Sequence, residues 1–238
     1  MFNIRKIIFI IYLLLFISID SVAQPIKFLP FNKLEIKDGL PGINVRKIAR
    51  DKYGFMWFAT QDGISRFDGK SFINLNSYNV DAKRKIIGTD VYDIKTDVSG
   101  NYLWTLSPYG GVSKIDLQTC NVEATWEIKQ TIKKDTSLWY KCFYDNGGYL
   151  VIGTNEGIIS YFNKVSGLVE ASFSLAQRFN SPGDLEDIFI DEQKRVWFFI
   201  SDKGILITDS TLTRQIELLN FPEKDANPFT FTDYSFFQ

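Results

Sequence analysis

A repeat of about 47 residues, running from near residue 40 almost to the end of the chain, limits what this sequence can fold into more than any other feature. Three kinds of marker keep its period. Aspartates recur at Asp51, Asp97, Asp145 and Asp191, separated by 46, 48 and 46 residues. Glycines recur at Gly63, Gly111, Gly157 and Gly204, separated by 48, 46 and 47 residues. Between them stands one large residue: Trp57, Trp104, Val151 and Trp197. Each unit parses into four short strands, which in the first are 45–50, 55–60, 64–68 and 71–75. Four strands per period of this length is the mark of a β-propeller; a β-helix needs a shorter repeat, and a helical solenoid a 3.6-residue periodicity that this chain lacks.

The markers have local physical meanings. Asp-x-x-Gly, at Asp51–Gly54, Asp97–Gly100 and Asp145–Gly148, signals a hairpin turn: the carboxylate accepts turn N–H groups, and glycine takes the left-handed position. The fourth unit replaces this glycine with Lys194, so a turn of the same shape would hold a lysine at positive φ, at a cost of about 1 kcal/mol. The tryptophan on the second strand fills the wedge between radially stacked sheets. Val151 is smaller, which predicts looser packing around the third blade. Aromatics make up 16% of the chain, with 21 Phe and 11 Tyr, in keeping with strands rather than helices.

The first blade resembles the two-component regulator propeller repeat. Asn44, Val45, Ile48, Asp51, Gly54, Trp57, Thr60, Gly63, Asp68 and Gly69 match that repeat's pattern in order, and the lead-in Asp38-Gly39-Leu40-Pro41-Gly42 is similar to the family's approach to its first blade. Blades two to four are more degraded copies. The resemblance implies an all-β propeller forming the N-terminal periplasmic sensing part of a bacterial regulator, often a hybrid histidine kinase, responsive to oligosaccharides. It further implies, as partners, an oligosaccharide ligand, the remaining blades and signalling domains of a longer parent anchored in the inner membrane, and a homodimer.

The expected organisation is a signal peptide at 1–23, a lead-in at 24–42, and a partial propeller at 43–238. Its blades fall at about 43–75, 89–128, 138–175 and 184–219, with the start of a fifth at 229–238. Arg5 and Lys6 precede a 13-residue apolar stretch from Ile7 to Ile19, and Ser21-Val22-Ala23 offers a cleavage site before Gln24. That stretch falls short of the roughly 20 residues that span a bilayer, and no second long apolar segment follows. A soluble, exported, periplasmic or extracellular chain is expected. Phe28–Leu34 is a candidate ring-closing strand. The incomplete blade count predicts exposed strand edges. Export permits disulfides, but Cys120 in an outer turn and Cys142 on an inner strand are placed too far apart to pair.

The chain has no histidine, which removes imidazole bases, Ser-His and Cys-His pairs and imidazole metal sites. Gly39-Leu40-Pro41-Gly42 lacks the Lys-Ser/Thr of a phosphate loop. The acidic run Asp184, Glu186, Asp187 and Asp191 misses calcium-loop spacing and reads as an inner strand with its turn aspartate. No cofactor and no metal are expected. A net charge of −1 with scattered basic residues offers no nucleic-acid footprint.

Propeller geometry places a ligand site on the face of the second-to-third-strand and inter-blade loops. The candidates there are Asn44, Gln61, Asp62, Asp90, Tyr109, Asn155, Glu156, Asp202 and Lys203. Amides, carboxylates and an aromatic face suit sugar hydroxyls and rings, although the same residue types are favoured in turns for structural reasons alone. Three functions stand open: a sensor module, a glycan lyase or hydrolase using paired carboxylates in the channel, and an interaction scaffold or truncated remnant. Catalysis by this chain is not expected.

Overall fold

The computed structural model describes residues 33–128 and 138–220. The leader, most of the Phe28–Leu34 segment and the fifth-blade strand at 229–238 lie outside the described residues.

Four antiparallel four-stranded sheets follow one another along the chain, each a simple meander. The first comprises β1 (Val45–Arg50), β2 (Met56–Thr60), β3 (Gly63–Phe67) and β4 (Phe72–Leu75), and the second β5 (Asp93–Thr96), β6 (Tyr102–Leu106), β7 (Gly111–Asp116) and β8 (Val122–Glu127). The third holds β9 (Tyr140–Asp145), β10 (Tyr149–Thr154), β11 (Ile158–Asn163) and β12 (Val169–Ser174), and the fourth β13 (Leu185–Ile190), β14 (Val196–Ile200), β15 (Gly204–Thr208) and β16 (Gln215–Asn220). One short helix, α1 (Leu175–Phe179), leaves blade three. Within each blade the first strand is innermost, and β1, β5, β9 and β13 pack against one another in turn. The chain is thus an all-β propeller of four described blades. Strand ends in blade one differ from the sequence reading by a residue, because Gly63 already pairs with Thr60.

The core is three wedges, one between each pair of blades. Trp57 sits fully buried with Ile64 and Leu75 of blade one and Ile94, Leu103 and Ile115 of blade two. Trp104 does the same between blades two and three, stacked on Trp126 at 5.6 Å between ring centroids. Between blades three and four the marker is Val151, and the looseness expected there is absent. Val151 is fully buried, and Tyr144, Phe179 from α1 and Phe198 complete the cluster around it. The sequence reading missed this because the compensating rings come from other strands and from a helix it did not foresee.

The turn aspartates do more than close hairpins. Asp51 accepts the Tyr53 and Phe55 N–H groups on Oδ1 and the Trp57 indole N–H on Oδ2 at 2.8 Å. Asp191 repeats this with Trp197 at 2.9 Å. In blade two an extra turn residue separates Asp97 from Trp104, Asp97 is occupied by Ser99, Asn101 and Tyr102, and the buried Trp104 Nε1 has no hydrogen-bond partner. Lys194 holds φ +62°, as the missing glycine required. In blade three the left-handed residue is Gly147 (φ +98°) rather than Gly148, because Asn146 N–H bonds Tyr149 O and tightens the hairpin by one residue. Gly63 and Gly204 open their strands at positive φ, where a Cβ would meet the Leu75 and Leu219 carbonyl oxygens at 2.4 and 1.9 Å. Both cysteines are buried and free, as expected from their places in the repeat.

Two measurements check this account. Trp57→Phe breaks a charged hydrogen bond inside the core and Trp104→Phe breaks none, so urea unfolding should show Trp57→Phe costing about 1–2 kcal/mol more. Lys194→Gly relieves the left-handed lysine and should stabilise the protein by about 0.5–1 kcal/mol in the same assay.

Candidate functional site

The site face is built by a hydrogen bond that recurs at each blade boundary. Val91, Tyr140 and Leu185, equivalent residues at the head of each inner strand, donate their backbone N–H groups to Thr60 O, Pro108 O and Asn155 O at the top of the preceding blade. Each loop between second and third strands is thereby tied to the first strand of the next blade. In blades one, three and four the inner strand then slips register, between Val45 and Lys47, opposite Gly153–Thr154, and between Leu185 and Asp187. The skipped residues are Arg46, Lys141 and Glu186. A bulge re-aims the side chain it leaves out of the ladder, which places three charges around the mouth of the axis.

Each charge is paired. Arg46 makes a two-pronged bond to Asp90 at 2.9 and 2.9 Å and lies 4.4 Å from the Tyr92 ring centroid. The Asp90 hydrogen bond is the main reason its pKa is raised. Lys141 Nζ sits between Asp184 at 3.1 Å and Glu186 at 2.8 Å, and Ser201 Oγ donates to Glu186 at 2.6 Å. Burial works against the Lys141 charge, but the two carboxylates outweigh it and lift its pKa; burial raises that of Asp184.

One residue deeper lies a second layer, formed by Lys47, Asp93, Cys142 and Asp187. Lys47 reaches Asp187 Oδ2 at 2.5 Å, and Lys95 reaches Ile188 O at 2.9 Å and Asp187 Oδ1 at 3.6 Å. Asp93 is fully buried; its Oδ2 accepts the Phe143 N–H at 3.0 Å, and its Oδ1 has no partner. Burial opposes the charge of Lys47, yet Asp93 and Asp187 push its pKa up to about 12. Burial also pushes the Cys142 thiol up. Asp187 lies below its ordinary value because Lys95 and Lys47 overcome its burial.

The residues proposed from sequence spread around the outer mouth. Asn44 Nδ2 donates to Gln61 Oε1 at 2.7 Å, and the Asp62 N–H bonds Thr60 Oγ1 at 3.1 Å. Asn155 Oδ1 accepts the Trp139 N–H at 2.8 Å, in a loop that also carries the exposed Glu156. Asp202, at φ +57°, and Lys203 form the corresponding turn of blade four. Tyr109 is 78% exposed on the blade-two loop. Asn44 and Gln61 are brought together, and so are Asn155 and the neck of blade four; blades one and four contribute separate groups. Sequence reasoning missed Trp139, 41% exposed beside Asn155, and the bulged trio Arg46, Lys141 and Glu186. A charged residue directly after the first apolar residue of the inner strand, in blades one, three and four, was the available signal. Among the described residues no cluster of acidic, Cys or His side chains could hold a metal ion, and no helix is long and apolar enough to cross a membrane.

Residues 39–62, from the lead-in through β2, match the two component regulator propeller family. That match takes in the first two strands of the first blade. No curated protein matches the chain. Among solved structures it is similar to an extracellular domain assigned to a hybrid two component system of B. thetaiotaomicron, with 21% identity and a TM-score of 0.56 over 73% of this chain and 25% of that one. It is also similar to the WD40 propeller domain of Doa1, with 15% identity and a TM-score of 0.56 over 75% of this chain and 54% of that one. A Bacteroides caccae protein of unknown function matches at 12% identity with the same TM-score, over 74% of this chain and 61% of that one. These likenesses establish the propeller fold, and the chain spans about a quarter of the length of the B. thetaiotaomicron domain.

Proposed function

We propose that this chain is part of the exported ligand-sensing propeller of a two-component regulator, and that oligosaccharide binds on the face of the second-to-third-strand loops. The observation that carries this reading is the exposed Trp139 ring beside Asn155, whose amide oxygen accepts the Trp139 N–H, with the exposed Tyr109 on the neighbouring loop, where Pro108 O accepts the Tyr140 N–H. Flat rings stack on sugar faces, while Asn155, Glu156 and the Asp184–Lys141–Glu186 group offer acceptors and donors to hydroxyls. The family repeat in blade one and the likeness to an extracellular sensor domain support an output in signalling and a place outside the cytoplasm. A leader at 1–23 agrees with that address.

The glycan lyase or hydrolase reading asks for two accessible acids across the channel. Of the two acids that converge there, Asp187 is taken by Lys47 and Lys95, and Asp93 is buried. A polymer cannot lie between them, so binding fits this arrangement better than hydrolysis.

Titration calorimetry of the protein against a panel of plant and host oligosaccharides tests the proposal. Heat is expected from at least one member, and Trp139→Ala should weaken that binding at least tenfold while leaving the melting temperature unchanged. No heat from any member, or binding indifferent to Trp139→Ala, would sink the proposed face.

A further inference from the structure

The buried layer around the axis contains a group that the sensing face does not use. Asp93 is fully buried, and one of its oxygens meets no donor. Around it stand charged or titratable groups from all four inner strands: Lys47 on β1, Lys95 on its own strand β5, Cys142 on β9 and Asp187 on β13. Two lysines therefore serve two carboxylates, but the carboxylates are unequal. Asp187 takes Lys47 at 2.5 Å, faces Lys95 at 3.6 Å and also accepts the Ile188 N–H, whereas Asp93 has only the Phe143 N–H.

We propose that Lys47, Lys95, Asp93 and Asp187 form a proton-operated clasp across the propeller axis: in mildly acidic medium Asp93 takes up a proton and loses its through-space pull on the two lysines, which tightens their existing hold on Asp187 and draws blades one and two against blade four. The ligand of this site is the proton, bound at Asp93 Oδ1, the atom left without a donor. The geometry makes the clasp an inter-blade device. Lys47 and Asp187 lie 140 residues apart in sequence, and each directly follows a bulged residue of the sensing face, Arg46 in one case and Glu186 in the other. A shift at the clasp is therefore passed to the Arg46–Asp90 and Lys141–Glu186 pairs at the mouth.

The direction of the effect follows from where the proton sits. Burial, reinforced by Asp187, raises the Asp93 carboxyl from 3.8 to about 6 in the folded chain, against the pull of Lys95 and Lys47. Between those values the folded chain binds one proton more than the unfolded chain, so this group's contribution to stability falls as pH rises through the window. Asp187, held below its ordinary value, stays ionised throughout it. The chain has no histidine, so no imidazole obscures a response near pH 6.

Carboxyl 13C NMR of the wild-type protein should show one aspartate titrating near pH 6, absent in Asp93→Asn. The wild-type melting temperature should rise relative to Asp93→Asn as pH falls from about 7 to about 5. Amide exchange, corrected for intrinsic rates, should slow in β1 and β13 over the same interval in the wild type alone. The proposal fails if no carboxyl titrates above about pH 5, if the pH dependence survives in Asp93→Asn, or if β1 and β13 exchange identically at both pH values. The wild-type titration decides even if Asp93→Asn does not fold.

Discussion

Everything at the candidate face depends on a single backbone hydrogen bond repeated from blade to blade. A backbone N–H at or just before the start of an inner strand, at Val91, Tyr140 and Leu185, reaches back to a loop carbonyl of the sheet before it. That bond fixes the angle between neighbours. With the angle fixed, the space between sheets becomes a wedge of defined width, and one large side chain on the second strand fills it. Trp57 and Trp104 do so directly, while Val151 does so with borrowed rings. The same bond delivers each loop tip to the mouth of the axis, so stability and the presentation of polar groups have a common origin.

The fold was legible because its signals are local and periodic. Asp51, Gly63 and Trp57 each perform a task that a few neighbouring residues define, and the period then multiplies the evidence. Even the exception was readable, since Lys194 in place of glycine forced a left-handed lysine whatever the surroundings. The reading slipped for two different reasons. The packing around Val151 is set by Phe179 and Phe198, which lie outside its own sheet and cannot be inferred from one repeat at a time. The choice of Gly147 over Gly148 is local, set by a bond from Asn146 to Tyr149 that tightens the hairpin.

The candidate site was legible in outline only. Loop position put Asn155 and Tyr109 on one face, because the meander dictates which loops share an end. The charged residues nearest the axis escaped, since their prominence comes from register slips in β1, β9 and β13 that spacing alone does not reveal. Asp93 and Asp187 illustrate the same limit differently. Both are aspartates at equivalent repeat positions, and only the three-dimensional distribution of Lys47 and Lys95 makes one a buried, under-served acid and the other a firm anion.

The long reach of Lys47 also bears on how the molecule folds. Sheets that touch only their neighbours behave as a one-dimensional array, in which each boundary contributes separately and unravelling can begin at either end. An ion pair joining β1 to β13 couples the first and fourth described sheets directly. Loss of one of them then weakens the other, and the four sheets acquire a cooperativity that nearest-neighbour packing alone would not supply. The cost is kinetic: a contact spanning 140 residues forms late, after the intervening sheets have assembled.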